Sequence, residues 1–203
     1  MILSNLVLGF VTSYIGYMSP SMLNITASKI RLEKSKNEAH KFILGVLLIV
    51  VLQLFVSISL MSFLNKYPEL IAYLKKIAAI VFFILSIVFI KKGLTKKTSE
   101  NRVYIENSFS LGMVLSLINM FAIPFFIVEY KFFLMYGWLM KTTSSTIFFG
   151  LGSVLGVFLV LSSYVFLVNK FENNLLRVTK YFNVFIGIVM SLVALYSFLI
   201  SYF

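Results

Sequence analysis

The chain has 203 residues, 60% hydrophobic and 12% charged, with no cysteine, one histidine and a formal net charge of +11. A soluble domain carries about a quarter charged residues, so this composition excludes one and makes the bilayer the solvent. Disulfides, thiolate chemistry and iron–sulfur clusters are excluded with the cysteines, and His40 has no second histidine with which to hold a metal, so no metal site and no cofactor is expected.

A hydrocarbon core about 30 Å thick asks for about 20 apolar residues per helix. Six stretches answer it: 2–25, 42–63, 71–90, 108–128, 145–168 and 182–201. The N-terminus lacks the basic region and small-residue cleavage site of a signal peptide, so the first stretch is expected to stay as a span. It is interrupted, and around the interruption stand Ser19, Pro20, Ser21 and Asn24, with Thr26 and Ser28 beyond. Proline supplies no amide proton and disturbs the carbonyl four residues back, here Gly16. Backbone polarity freed at membrane depth is tolerated only where protein or a wet cavity surrounds it. A new helix starting after Pro20 would offer free amides and a positive dipole end to an anionic group such as a carboxylate. Asn24, one turn on, could donate and accept at the same place.

The second span opens with `FILG` at 42–45 and carries Gln53, a polar side chain suited to an interhelical hydrogen bond or a ligand contact. The third is the shortest in effect, because Lys75 and Lys76 leave only Ile77 to Ile90 unbroken; the lysines can snorkel from the helix end, and five spans are the alternative.

The fourth repeats the first: `LGMVLSLINMFAIP`, from Leu111 to Pro124, echoes `LGFVTSYIGYMSP`, from Leu8 to Pro20. Asn119 and Pro124 are the counterparts of the first break, and Asn119 is expected to face the protein interior. All seven acids are glutamates, none in the middle of an apolar stretch. Glu129, just past the fourth span, is the carboxylate placed to move protons during coupling; its span-end position favours instead an interfacial charge in water, dispensable for transport. Tyr130, Tyr136 and Trp138 follow as an interfacial aromatic belt.

The fifth span opens with `FGLG` at 149–152, and Gly152 and Gly156 stand in G-x-x-x-G spacing, which lets backbones approach closely. Ordinary packing within the chain is the first reading of that spacing, and a homodimer seam or a sliding surface the second.

Thirteen of the eighteen lysines and arginines fall in the first, third and fifth loops, five in the second and fourth, and none at the termini. Positive charge in short loops is an orientation signal rather than a nucleic-acid footprint, so no nucleic-acid partner is expected; the rich loops are cytoplasmic and both termini outside. Proline and glycine echoes 104 and 107 residues apart divide the chain into repeats of about 1–95 and 105–203. Three spans per repeat is an odd number, so the second repeat enters the membrane inverted. The expected fold is a single polytopic all-α membrane domain over 1–203: six transmembrane helices as two inverted three-helix repeats, with the first and fourth helices broken.

At these residues the chain resembles the LysE/RhtB family of bacterial amino-acid exporters. The family's first helix ends in a P-G-P-N-like motif followed by a basic stretch and a glycine-opened second helix, here `YMSPSMLNITASKIRLEKSKNEAHKFILG`; `FSLG`, `LINMFAIPFF` and `NVFIGIVMSLVALYSFL` match the second half. Pro20 and Asn24, with Asn119 and Pro124, carry over as motif positions. Departures are Ser21 in place of the motif glycine, two residues between it and Asn24, and four between Asn119 and Pro124, so the substrate does not carry over. The resemblance implies a divergent member, of a Bacteroidota type, multi-pass in the bacterial cytoplasmic (inner) membrane and exporting amino acids or related small metabolites.

No `GxxxxGK[ST]` loop is present, so a secondary transporter is expected rather than an ATPase. An enzyme would need a nucleophile with its base, an acid pair or a metal, and is not expected. The remaining alternatives are a non-transporting scaffold and an exporter of another small solute or cation, the latter disfavoured by the lack of acids within the spans. Cysteines at Ser35→Cys and Ser99→Cys are expected to resist an impermeant thiol reagent in intact cells, and one at Asn65→Cys to label; labelling of 35 and 99 from outside reverses the orientation.

Overall fold

The computed structural model describes residues 2–67, 80, 83–84, 86–91, 94, 106–119 and 121–202. Its helices are α1 (Ile2–Tyr17), α2 (Met22–Glu33), α3 (Lys36–Lys66), α4 (Ser108–Ile118), α5 (Ala122–Met135) and α6 (Thr143–Tyr202). No strand occurs among the described residues. Two compact units share the chain, one of residues 1–61 and 103–172, the other of 62–102 and 173–203.

Both expected breaks are present. α1 and α2 meet at 78° and α4 and α5 at 65°. Ser21 sits before α2 in an extended conformation (φ −107°, ψ 172°), and the chain leaves α4 at Asn119 with ψ 84°. The second break differs from expectation in its position. It falls at 119–121, and Pro124 lies exposed in the first turn of α5, where a missing amide leaves no helix bond unmade.

Lys36–Leu64 and Thr143–Val168 are long and apolar enough to cross a membrane, and each bent pair passes the same test together, giving two to four such elements among the described residues. Much of the predicted span 71–90 lies outside the described residues; positions 80, 83–84 and 86–90 are helical. The loop expected at 170–180 is absent, because α6 continues as helix to Tyr202. No glycine or proline stands between Gly156 and Gly187 to end it.

Glycines set the helix contacts of the first unit. A methyl group on Gly9 would collide with the Phe149 carbonyl of α6, and one on Gly152 with the Leu6 carbonyl of α1. Gly45 of α3 and Gly112 of α4 meet the Phe109 and Phe42 carbonyls in the same reciprocal way. Gly9 and Gly112 are 103 positions apart, Gly45 and Gly152 are 107 apart, so repeat-spaced glycines make equivalent contacts, each across the halves of the sequence. Gly156 packs on Phe10 and Tyr14, which makes the G-x-x-x-G spacing a contact within the chain.

The interior of this unit mixes Phe42, Ile43, Val46, Phe126, Val157 and Leu161 with Ser13, Asn24, Gln53, Ser57 and Glu129, while Phe55, Val128 and Phe166 are left outside. Large apolar side chains outward and hydroxyls inward is the polarity that lipid demands. In the second unit, Ser86 Oγ lies 2.8 Å from Ser191 Oγ, and Gly187 packs on Ser86 and Ile90.

A methyl at the reciprocal seams forces backbones apart, and overpacking costs about 1–3 kcal/mol. Gly112→Ala and Gly152→Ala are therefore expected to lower the thermal midpoint in detergent. Gly150→Ala, where a methyl meets nothing within 4 Å, is expected to leave it unchanged or raise it slightly.

Candidate functional site

The break after α1 frees the carbonyls of Tyr17, Met18 and Ser19, and each has a side-chain donor. Asn24, fully buried in the first turn of α2, folds back so that Nδ2 donates to the Tyr17 oxygen at 2.8 Å and the Ser19 oxygen at 2.6 Å. Tyr164 reaches in from α6, its hydroxyl donating to the Met18 oxygen at 2.8 Å. Ser28 Oγ donates to the Tyr164 carbonyl at 3.3 Å, so α2 and α6 hold one another across the break.

The second break is braced from α3. Gln53 Nε2 donates to the Ser116 carbonyl at 2.8 Å. Ser57 Oγ stands between the Gln53 carbonyl at 2.6 Å and the Ile123 carbonyl at 3.2 Å. Ser57 and Tyr164 are 107 positions apart, the same spacing as Gly45 and Gly152. Side chains at repeat-spaced positions thus brace each other's opposite break.

Asn24 commits both amide hydrogens, and Gln53 one, to backbone, and both keep their side-chain oxygens, Oδ1 and Oε1, buried without a partner. With its amino end committed, the free end of each amide can only accept. Ser21 makes no side-chain cap, and the first helix-type bond here runs from the Ile25 amide to the Ser21 carbonyl at 3.0 Å. The amides of Met22, Leu23 and Asn24 therefore have no partner within α2. Ser19 and Pro20 are half-buried in the same break. Asn119 is half-buried and engaged through its backbone, its amide donating to the Ser116 carbonyl at 3.1 Å. No hydrogen bond among the described residues joins its side chain to Asn24.

Glu129 departs most from the sequence-based expectation. It is buried, at 7% exposure, on the face of α5 that packs on α1, and is no interfacial charge in water. The bend at 119–121 swings α5 against α1, so sequence distance from the end of the apolar stretch does not measure depth. Glu129 Oε1 shares a short hydrogen bond with Thr12 Oγ1, which also lies 2.7 Å from the Leu8 carbonyl. The Thr12 hydroxyl has one proton for two acceptors. A protonated carboxyl completes the chain Glu129 to Thr12 to Leu8, whereas an ionised one takes the Thr12 proton away from Leu8.

Glu129 Oε2 and the Tyr17 hydroxyl are both buried without a partner, and Tyr17 lies within electrostatic reach of Glu129. The Tyr17 ring stacks on Phe126 at 6.2 Å and meets Phe125 edge-on at 6.1 Å. Phe125, Phe126 and Glu129 share one face of α5 by their spacing of three and four residues.

The aromatic belt is two residues rather than three. Tyr136 and Trp138 are exposed, but Tyr130 is buried and its hydroxyl lies 2.6 Å from Thr146 Oγ1. Sequence reasoning passed over Thr12, Tyr17, Ser57 and Tyr164; a hydroxyl one repeat away from another hydroxyl was the signal for the last two. Among the described residues no group of three or more His, Cys, Asp or Glu gathers.

Tyr164 and Ser57 each make one interhelical bond to a carbonyl at or beside a break, and interhelical hydrogen bonds in membranes average about 0.6 kcal/mol. Tyr164→Phe and Ser57→Ala are each expected to fold and to lose about that much stability by thermal unfolding in detergent. A loss several times larger would mean that the hydroxyl holds more than its carbonyl.

Neither a curated protein nor a solved structure matches the chain. The family model of the LysE type translocator does match, over residues 14–201, a stretch that takes in both breaks, the seam of Gly45 with Gly112, and Glu129. By that match, and with its apolar exterior, the chain belongs to the LysE type translocator family and is a membrane protein of a small-solute exporter family.

Proposed function

We propose that the chain is a secondary exporter of amino acids or related small metabolites across the bacterial cytoplasmic membrane, with six spans in two inverted repeats and both termini outside, an arrangement that requires α6 to turn back after Val168. Cargo sits at the first break, among Ser19, Pro20, Ser21 and Asn24, with Glu129 as the residue that couples export to proton entry. Gln53 and Asn119 stand at the second break and shape the other wall of the path, while Pro124 starts α5 beside it.

One observation carries this reading: a carboxyl buried beside a broken helix in a lipid-facing protein. Acids in such surroundings are costly, and they mark ion or proton pathways. The partnerless amides at the start of α2 supply a positive helix end for a cargo carboxylate. A scaffold accounts for the glycine seams and the braces, but gives no return for the cost of burying Glu129.

The test is counterflow in proteoliposomes, screening the amino acids one at a time. Trans-stimulated uptake of at least one is expected, and no exchange of any of them would return the scaffold. With an imposed proton gradient, Glu129→Gln is expected to insert normally and to lose gradient-driven accumulation of that cargo; accumulation at the wild-type level would remove Glu129 from coupling.

A further inference from the structure

We infer that Glu129, with the Tyr17 hydroxyl and the faces of Tyr17 and Phe126, forms a seat for a primary ammonium group, so that the cargo's own cation replaces the coupling proton on this carboxylate. The inference rests on the exporter reading and adds to it the chemistry by which the cargo is held.

The charge arrangement is the first ground. Glu129 is the only charged side chain buried among the residues whose side chains the structure describes, and Lys131, its nearest basic neighbour along α5, is exposed. A carboxylate taken out of water is tolerated when it is paired with a cation or protonated. The described interior supplies no cation, so a proton or a bound ligand must. An ammonium on the cargo meets that need as well as a proton does, and one carboxylate cannot hold both.

The free atoms are the second ground. Thr12 occupies Oε1 and leaves Oε2 without a partner. The Tyr17 hydroxyl and Asn24 Oδ1 are also unpartnered, and Asn24 is tied to the Tyr17 carbonyl by its own amide. A primary ammonium has three donors and no acceptor. Oε2 and the phenol oxygen can both accept, whereas an anion beside Oε2 would meet the carboxylate and be repelled.

The aromatic faces are the third ground. Tyr17 and Phe126 stack with their rings 26° apart, one turn of α5 away from Glu129, and Phe125 closes against both. Rings beside a carboxylate stabilise a cation through the negative charge on their faces, and leave a desolvated anion nothing. The amides of α2 lie at the other end of Asn24.

The test is thermal unfolding of the purified full chain in detergent with n-propylammonium chloride, sodium propionate, 1-propanol or sodium chloride at equal concentration. Propylammonium is expected to raise the midpoint of the wild type above the sodium chloride control, and 1-propanol, similar in shape but uncharged, to have no such effect. In Glu129→Gln the apparent affinity for propylammonium is expected to fall at least tenfold, with any effect of propionate retained; in Tyr17→Phe it is expected to fall about threefold. A propylammonium shift matched by 1-propanol or sodium chloride overturns the proposal in the wild type alone, whether or not the variants fold. An equal shift in wild type and Glu129→Gln overturns it too, while leaving the exporter reading standing if counterflow is observed. Failure of counterflow in a protein that binds propylammonium through Glu129 sinks the exporter reading instead.

Discussion

Everything in the first unit depends on how backbone carbonyls are satisfied where a helix is broken away from water. An α-helix answers that need within itself, so each break creates a debt that side chains from elsewhere must meet. Here three donors do so, Asn24 from within its own segment, and Tyr164 and Gln53 from helices in the opposite half of the sequence, while Ser57 reaches the Ile123 carbonyl just inside α5. These bonds require close helices, and close helices require the absence of side chains at the crossing points. Gly9 with Gly152, and Gly45 with Gly112, provide that absence. Glycine seam and polar brace are therefore one device, the first setting the distance at which the second can work.

The break in turn makes room for chemistry. A continuous helix buries its amides in its own ladder, whereas α2 begins anew inside the unit with three amides that have no partner within it. The bend between α4 and α5 turns Glu129 inward until Thr12 can reach it. The positive helix start and the buried carboxyl, the two polar ends of the proposed site, thus arise from interruptions and not from a pocket carved between regular helices.

Much of the architecture was legible in the sequence because its signals are local. Pro20 and the `LINMFAIP` segment marked the broken helices, and the glycine echoes marked the seams. Asn24 and Gln53 stood out as polar residues in apolar surroundings, and both are buried and bonded as such residues must be. What escaped was whatever depends on three-dimensional direction. Glu129 follows the fourth apolar stretch and so was placed in water, yet the bend carries it to α1. Tyr130, beside it, turns inward for the same reason. Hydroxyls such as Thr12, Ser57 and Tyr164 give no pattern of their own, since serine and threonine are common in helices of membrane proteins and bond mostly to their own backbone. The fifth span ends at Val168 as expected, but the charge after it was taken for a loop, although `NKFENNLLRVTK` contains nothing that stops a helix and stays helical.

The exchanged braces also set a clock on assembly. The Met18 carbonyl is freed as soon as Pro20 interrupts α1, but its donor, Tyr164, is made 144 residues after Pro20. At about 5–20 residues per second of synthesis, that leaves the first break waiting roughly 7–30 seconds. During that time the N-terminal segment cannot rest in hydrocarbon with the partners it will finally have. It must linger at the headgroups, or be sheltered by the insertion machinery, until the fifth predicted span emerges. The second break has no such delay, because Gln53 and Ser57 are already in place when Ser116 and Ile123 arrive.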